Sequence, residues 1–137
     1  MTILIIEESL LISERIQNLL LETGDATAIY QSVEHRKASA FFDAIKPNVV
    51  VLDMCLPGIM SIELLQEIKN KATGTAIVVL VNYEDAQKRL KCTSIGVDFI
   101  IDKYHEFEKL PGILDIIVNK GNPKPSNEKP KYHSKFV

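Results

Sequence analysis

The chain has 137 residues, enough for one sizeable core and too few for two ordinary domains, and its 46% hydrophobic and 25% charged content argues against wholesale disorder. The formal charge is −2 and unevenly spread: residues 119–137 hold five lysines against one acid, a net +4, which leaves −6 on the remainder. An acidic body argues against nucleic-acid binding by the folded part and suits a divalent cation.

Short apolar runs alternate five times with amphipathic stretches. Thr2–Ile6 predicts a first strand, and a helix follows over Ser9–Glu22, with Leu11, Ile12, Ile16, Leu19 and Leu20 on one stripe and Ser9 as N-cap. Ala26–Tyr30 predicts the second strand and Val33–Ile45 the second helix. Asn48–Leu52 reads as the third strand, followed by a helix over Ser61–Lys71 with Ser61 as its N-cap and Ile62, Leu65 and Ile68 on one stripe. Thr75–Val81 and Glu84–Ile95 form the next pair, and Gly24 and Gly74 sit just past helix ends. Asp98–Ile101 is the fifth strand, and the fifth helix starts at Glu108 or Pro111 and ends at Val118, with Pro111 suited to a first turn.

The strand segments are continuous β-branched runs, the pattern of strands covered on both faces. Their alternation with helices through short connections implies right-handed crossovers and a three-layer, doubly wound α/β fold on a five-stranded parallel sheet. The domain is placed at residues 1–118. Residues 119–137, with three prolines and five lysines, read as a flexible basic tail. The longest apolar runs, such as Ala76–Val81, are far too short to span a bilayer, and the amino terminus lacks the pattern of a signal peptide. Two cysteines, Cys55 and Cys92, make no disulfide framework, so a cytoplasmic location with inert thiols is expected.

In an open α/β sheet, ligands bind beyond the carboxyl ends of the strands, where the strand order reverses. Glu7 and Glu8 follow the first strand, Asp53 ends the third, and Lys103 follows the fifth. Three carboxylates at one edge repel one another unless a cation intervenes, and a hard ion such as Mg2+ fits oxygen donors. An ammonium opposite can balance an incoming phosphoryl group, and a carboxylate beside the ion can attack phosphorus.

The blocks "ILIIEES", "PNVVVLDMCLPG", "ELLQEIK" and "GVDFIIDK", within about residues 2–118, resemble those of the bacterial response-regulator receiver family. "VNYEDAQKR" and "DKYHEFEKLP" further resemble a group of stand-alone receivers having no output domain. The resemblance implies the flavodoxin-like (βα)5 order 2-1-3-4-5. It implies Asp53 as phosphoacceptor, Lys103 as the phosphate-contacting lysine, and Glu7, Glu8, Asp53 and the backbone carbonyl of Cys55 around Mg2+. It also implies a two-component phosphorelay role. A histidine kinase or phosphotransfer protein would be the donor and a downstream protein the target, reached through about Glu84–Val118; whether the chain forms a homodimer is left open.

Several positions depart from the family pattern. Val81 stands where a Thr or Ser hydroxyl contacts the phosphoryl group, Asn82 where a small residue is usual, and Ile100 where an aromatic switch is usual. Valine keeps the shape of threonine without its hydroxyl, so phosphorylation or its readout is expected to weaken. Asn82 restricts access or supplies an amide donor. Tyr104 replaces the proline that usually follows the lysine. A degenerate receiver that binds a partner without phosphorylation is therefore the alternative function. Enzymatic activity beyond self-catalysed transfer to Asp53 and hydrolysis is not expected. A phosphatase with an aspartyl intermediate lacks its second Asp, since Cys55 stands there, and no phosphate loop for FMN follows the first strand. His35, His105 and His133 show no ligand spacing and are expected at the surface, while Tyr83, Phe99 and Phe107 are expected in packing or an interface.

Overall fold

A computed structural model describes residues 1–26, 28–56, 58–72, 74–121 and 133–136, with residues 120, 121 and 133–136 described by backbone alone. The elements in chain order are β1 (Thr2–Ile6), α1 (Leu10–Leu21), β2 (Ala28–Ser32), α2 (Ala38–Ile45), β3 (Val49–Asp53), α3 (Met60–Lys71), β4 (Ala76–Val81), α4 (Ala86–Ile95), β5 (Phe99–Asp102), α5 (Leu110–Gly121) and β6 (His133–Phe136). Short 3-10 turns, His35–Lys37 and Phe107–Lys109, lead into α2 and α5. The sheet is parallel throughout, in the order β5-β4-β3-β1-β2-β6. Its first five strands thus follow the expected 2-1-3-4-5 order.

Strand periodicity divides the core in two. Ile3, Ile5, Val49, Val51, Val78 and Leu80 pack with Ile16 and Leu20 of α1 and Leu110, Ile113 and Leu114 of α5. Leu4, Ile6, Val50, Leu52, Val79 and Val81 point the other way, toward Phe42 of α2, Leu64, Leu65 and Ile68 of α3, and Cys92 of α4. Both faces of each central strand are covered, which is why these runs carry no polar alternation. Each fully buried Ile, Leu or Val contributes roughly 1.5–3 kcal/mol, so the two layers supply most of the driving force.

Local chemistry sets most element ends. Ser9 caps α1, its hydroxyl oxygen accepting the Ile12 N–H at 3.3 Å. Gly96 ends α4 at φ +95°, a left-handed conformation open to glycine, and its N–H donates to the Cys92 and Thr93 carbonyls.

Four expectations are corrected. Ser61 is no N-cap: α3 begins at Met60, and the buried Ser61 hydroxyl donates to the Met54 carbonyl at 3.4 Å, tying the helix to the end of β3. The second helix forms only from Ala38, because Glu34 is extended and His35–Lys37 make a tight turn. β2 runs two residues later than its apolar run, since pairing with β1 carries the ladder through Gln31 and Ser32. In the expected tail, α5 extends to Gly121, and His133–Phe136 pairs in parallel with β2 from Ala28 to Gln31. Unpaired N–H and C=O groups along an edge strand are a ready template for such pairing. The rest of the tail expectation, at 122–132 and 137, lies outside the described residues. Among those described, no helix is long and apolar enough to cross a membrane.

Candidate functional site

The parallel register gathers the chemistry at one sheet edge. Ile6 pairs with Leu52 and Val81 with Asp102, so Glu7, Asp53 and Lys103 all lie at or one residue beyond the carboxyl ends of their strands. The backbone fixes each in place: Glu7 N–H donates to the Ser32 carbonyl at 3.1 Å, Met54 N–H to Leu80 at 2.8 Å, and Lys103 N–H to Val81 at 2.8 Å.

Glu7, Asp53 and Lys103 are 1%, 3% and 9% exposed. The Lys103 ammonium bridges the two acids, with Nζ 3.0 Å from Glu7 Oε1 and 3.2 Å from Asp53 Oδ1. Asp53 Oδ1 also accepts the Cys55 N–H at 2.9 Å. Glu8, the next residue, is exposed. Burial and then the neighbouring Asp53 push the Glu7 carboxyl up to about 7, against the opposing pull of Lys103. For Lys103, burial works to lower the pKa, but the bond to Glu7 and the charge of Asp53 outweigh it and hold the ammonium above its ordinary value. Two buried carboxylates and one ammonium leave a net negative charge, with Glu8 adding to it at the mouth. That charge and the oxygen chemistry of the acids suit a hard divalent cation. As the side chains stand, no three His, Cys, Asp or Glu groups among the described residues converge closely enough to hold an ion, and the charge between Glu7 and Asp53 is met by Lys103.

The atypical positions surround this pocket. Val81 is fully buried in the apolar layer beside Leu52 and Val79, and offers no polar atom to the site. Asn82 Oδ1 accepts the Glu84 N–H at 3.0 Å and so shapes the turn into α4. Ile100 packs against the core, and the Tyr83 hydroxyl donates to its carbonyl at 3.4 Å, with Arg89 lying 5.7 Å over the Tyr83 ring. The Cys55 thiol is pushed up to about 11 by burial and by Asp53, and Cys92, fully buried, likewise reaches about 11, so neither is a thiolate at neutral pH. Phe107 is buried and Phe99 half-buried, in keeping with packing roles.

Two groups near the pocket were not singled out from sequence. Lys88 of α4 donates to the Leu56 carbonyl at 2.8 Å, placing a second cation by the loop after Asp53. His35 is 6% exposed and not at the surface, which corrects the expectation for it. Asking which residues follow the end of every strand, β2 included, would have drawn attention to it. His105 is exposed as expected, with Nδ1 2.6 Å from Asp102 Oδ2, while the His133 side chain lies outside the described residues.

Comparison with known proteins bears on the family and the fold. The family model of the response regulator receiver domain matches residues 3–115. The transcriptional regulatory protein YdfI of Bacillus subtilis (strain 168) is 26% identical over 121 residues, 88% of this chain and 55% of the relative. The transcriptional regulatory protein QseB of Escherichia coli O157:H7 is 27% identical over 128 residues, 93% of this chain and 58% of its own length. The chain thus spans little more than half the length of these relatives. Among solved structures, the response regulator domain of Thermotoga maritima CheB superposes with a TM-score of 0.72 at 20% identity, covering 91% of this chain and 98% of that one. The signal receiver domain of a histidine kinase from Syntrophus aciditrophicus gives 0.75 at 20% identity, covering 93% and 96%. With the fold, the edge-gathered acids and lysine, and a family match over most of its length, the chain belongs to the response-regulator receiver domain family.

Proposed function

We propose that the protein is a phosphorylation-controlled signalling module in which Asp53 accepts a phosphoryl group and the change is passed on through protein contacts in trans. The observation that carries this is the buried bridge of Lys103 between Glu7 and Asp53. Holding three charges in a core is costly unless the site uses them.

In this reading Asp53 Oδ1 is held by the Cys55 N–H and by Lys103, so attack on phosphorus falls to Oδ2. A new O–P bond forms as the bond from phosphorus to the donor breaks, and the donor leaves with the electron pair. A histidine kinase or phosphotransfer protein, giving up the phosphoryl group from an imidazole nitrogen, is the matching donor class. Glu7, Glu8, Asp53 and the Cys55 carbonyl would hold Mg2+. The ion's contribution is to neutralise charge that builds up between the acids and the phosphoryl oxygens. Lys103, released from the carboxylates, turns its ammonium to a phosphoryl oxygen. Val81 supplies no hydroxyl to the third oxygen, so the phosphorylated form has one contact fewer than the family pattern provides.

The test is incubation with acetyl phosphate and Mg2+ followed by intact mass, beside an Asp53→Asn control, with beryllofluoride titration by NMR for a short-lived adduct. An adduct or shifts lost in the control support the assignment. Neither, with the fold intact, overturns it and leaves a receiver fold that binds its partner without phosphorylation.

A further inference from the structure

The turn after β2 brings an imidazole to the same edge. Ser32, the last residue of β2, receives the Glu7 N–H, and His35 follows three residues later in the 3-10 turn. Arg36 and Lys37 point outward and pair with Glu34, whereas His35 turns inward and is 6% exposed. Neither of its ring nitrogens has a hydrogen-bond partner among the described residues. Burying two unpaired polar atoms is unfavourable, and such an atom in a native fold generally marks a missing water or ion. The acids whose charges reach the ring are Glu8 and Asp53, members of the proposed cation site, and an imidazole with one nitrogen unprotonated has an acceptor to offer there.

We propose that His35 is an outer-shell group of that site, one ring nitrogen accepting a hydrogen bond from a water held by the divalent ion bound by Glu7, Glu8 and Asp53. The inference rests on the cation reading above and adds to it a positioning residue. A water oriented by a fixed acceptor is a better ligand, and removing outer-shell partners typically weakens metal affinity by about 10–100-fold. Glutamine at the same place retains an acceptor oxygen; leucine has none.

The experiment is an NMR titration of the full chain with Mg2+, following backbone amides at Glu7, Asp53 and Cys55, for the natural protein, His35→Leu and His35→Gln. Ring signals of the three histidines are followed in parallel in the natural protein under substoichiometric Mn2+. The expected result is a Mg2+ affinity weakened about 10–100-fold in His35→Leu and partly restored in His35→Gln, with the His35 ring broadened by Mn2+ along with the Asp53 amide. A His35→Leu protein that binds Mg2+ as the natural chain does overturns the inference and leaves the cation site standing. Should that variant not fold, an unbroadened His35 ring at Mn2+ levels that erase the Asp53 amide overturns it equally. If the natural chain shows no Mg2+ response at all, the cation reading fails and His35 loses its role with it.

Discussion

Two lysines in this molecule each sit between two carboxylates, at opposite edges of the sheet. Lys103 lies 3.0 and 3.2 Å from Glu7 and Asp53; Lys71, at the end of α3, lies 3.1 and 3.3 Å from Asp43 and Glu67 and also donates to the Ser39 hydroxyl. The distances are nearly the same. The side chains of the first trio are at most 10% exposed and those of the second at least 32%. Distance therefore does not separate them, and burial does. In the first group water cannot screen the charges, so each ion depends on the others. In the second, solvent screens every pair, and ordering the long side chains offsets much of what attraction remains.

The largest effect expected from that contrast follows Lys103→Met. It leaves two acids buried together without their cation, a change that typically costs about 3–5 kcal/mol, softened here as Glu7 takes up a proton. Urea denaturation at pH 7 is expected to show a loss of about 3 kcal/mol. A midpoint equal to that of the natural protein would mean that water enters the pocket freely.

Next comes pH. Glu7 is raised in the fold to about 7 from 4.5, so the folded state binds its proton more tightly than the unfolded chain does. The stability this gives is fully present below about pH 4.5 and is lost as pH rises through 7, on the order of 3 kcal/mol in all. Glu106 has the opposite sign. The bond from Lys109 above all holds it down to about 2, so any loss there comes in acid, below the Glu7 window. Stability measured from pH 5 to 8 is therefore expected to fall, and Glu7→Gln to flatten the slope. Mg2+ added at pH 8 should recover most of the loss, because an ion favours the charged carboxylate. A slope unchanged by Glu7→Gln would assign it elsewhere.

The same contrast accounts for what could be read from the sequence. Five strands were legible because burial on both faces leaves runs such as Val49–Leu52 without polar alternation. Glu7, Asp53 and Lys103 were legible because a charge at the end of such a run has few other reasons to be there. His35 was not, since whether a residue in a polar loop turns inward depends on contacts far off in sequence. β6 was hidden for a similar reason: its pairing with β2 bridges a hundred residues, and four residues among lysines and prolines carry no strand signal of their own. The Ser61 hydroxyl illustrates a local rule displaced by a tertiary one: in place of accepting an N–H as a helix cap, it donates to the Met54 carbonyl. Val81 shows the limit of alignment by position. The sequence identifies the missing hydroxyl, but only the packing shows that an apolar layer surrounds the place where it would stand.

Val81→Thr sharpens that last point. A hydroxyl placed among Leu52, Val79 and Cys92 without a partner costs about 1–3 kcal/mol, so the unphosphorylated variant is expected to melt earlier. With beryllofluoride bound at Asp53, or with Asp53 phosphorylated by acetyl phosphate as acetate leaves, the hydroxyl gains an acceptor and the deficit should shrink. A deficit of the same size in both states would show that position 81 does not reach the acceptor site.

Lys71→Met gives the smallest expected effect and completes the comparison. The bond to Asp43 and then that to Glu67 hold the Lys71 ammonium above its ordinary pKa, and Ser39 together with Lys71 holds Glu67 below its own, so the network is electrostatically real. Its members are solvated in the folded and unfolded chain alike, and removing the lysine leaves acids that water can serve. The denaturation midpoint is expected to stay within the scatter of repeated measurements, and to respond to salt no differently from the natural protein. A loss approaching that of Lys103→Met would mean that the α2–α3 edge depends on its ions as the site does, and that exposure is the wrong variable by which to rank them.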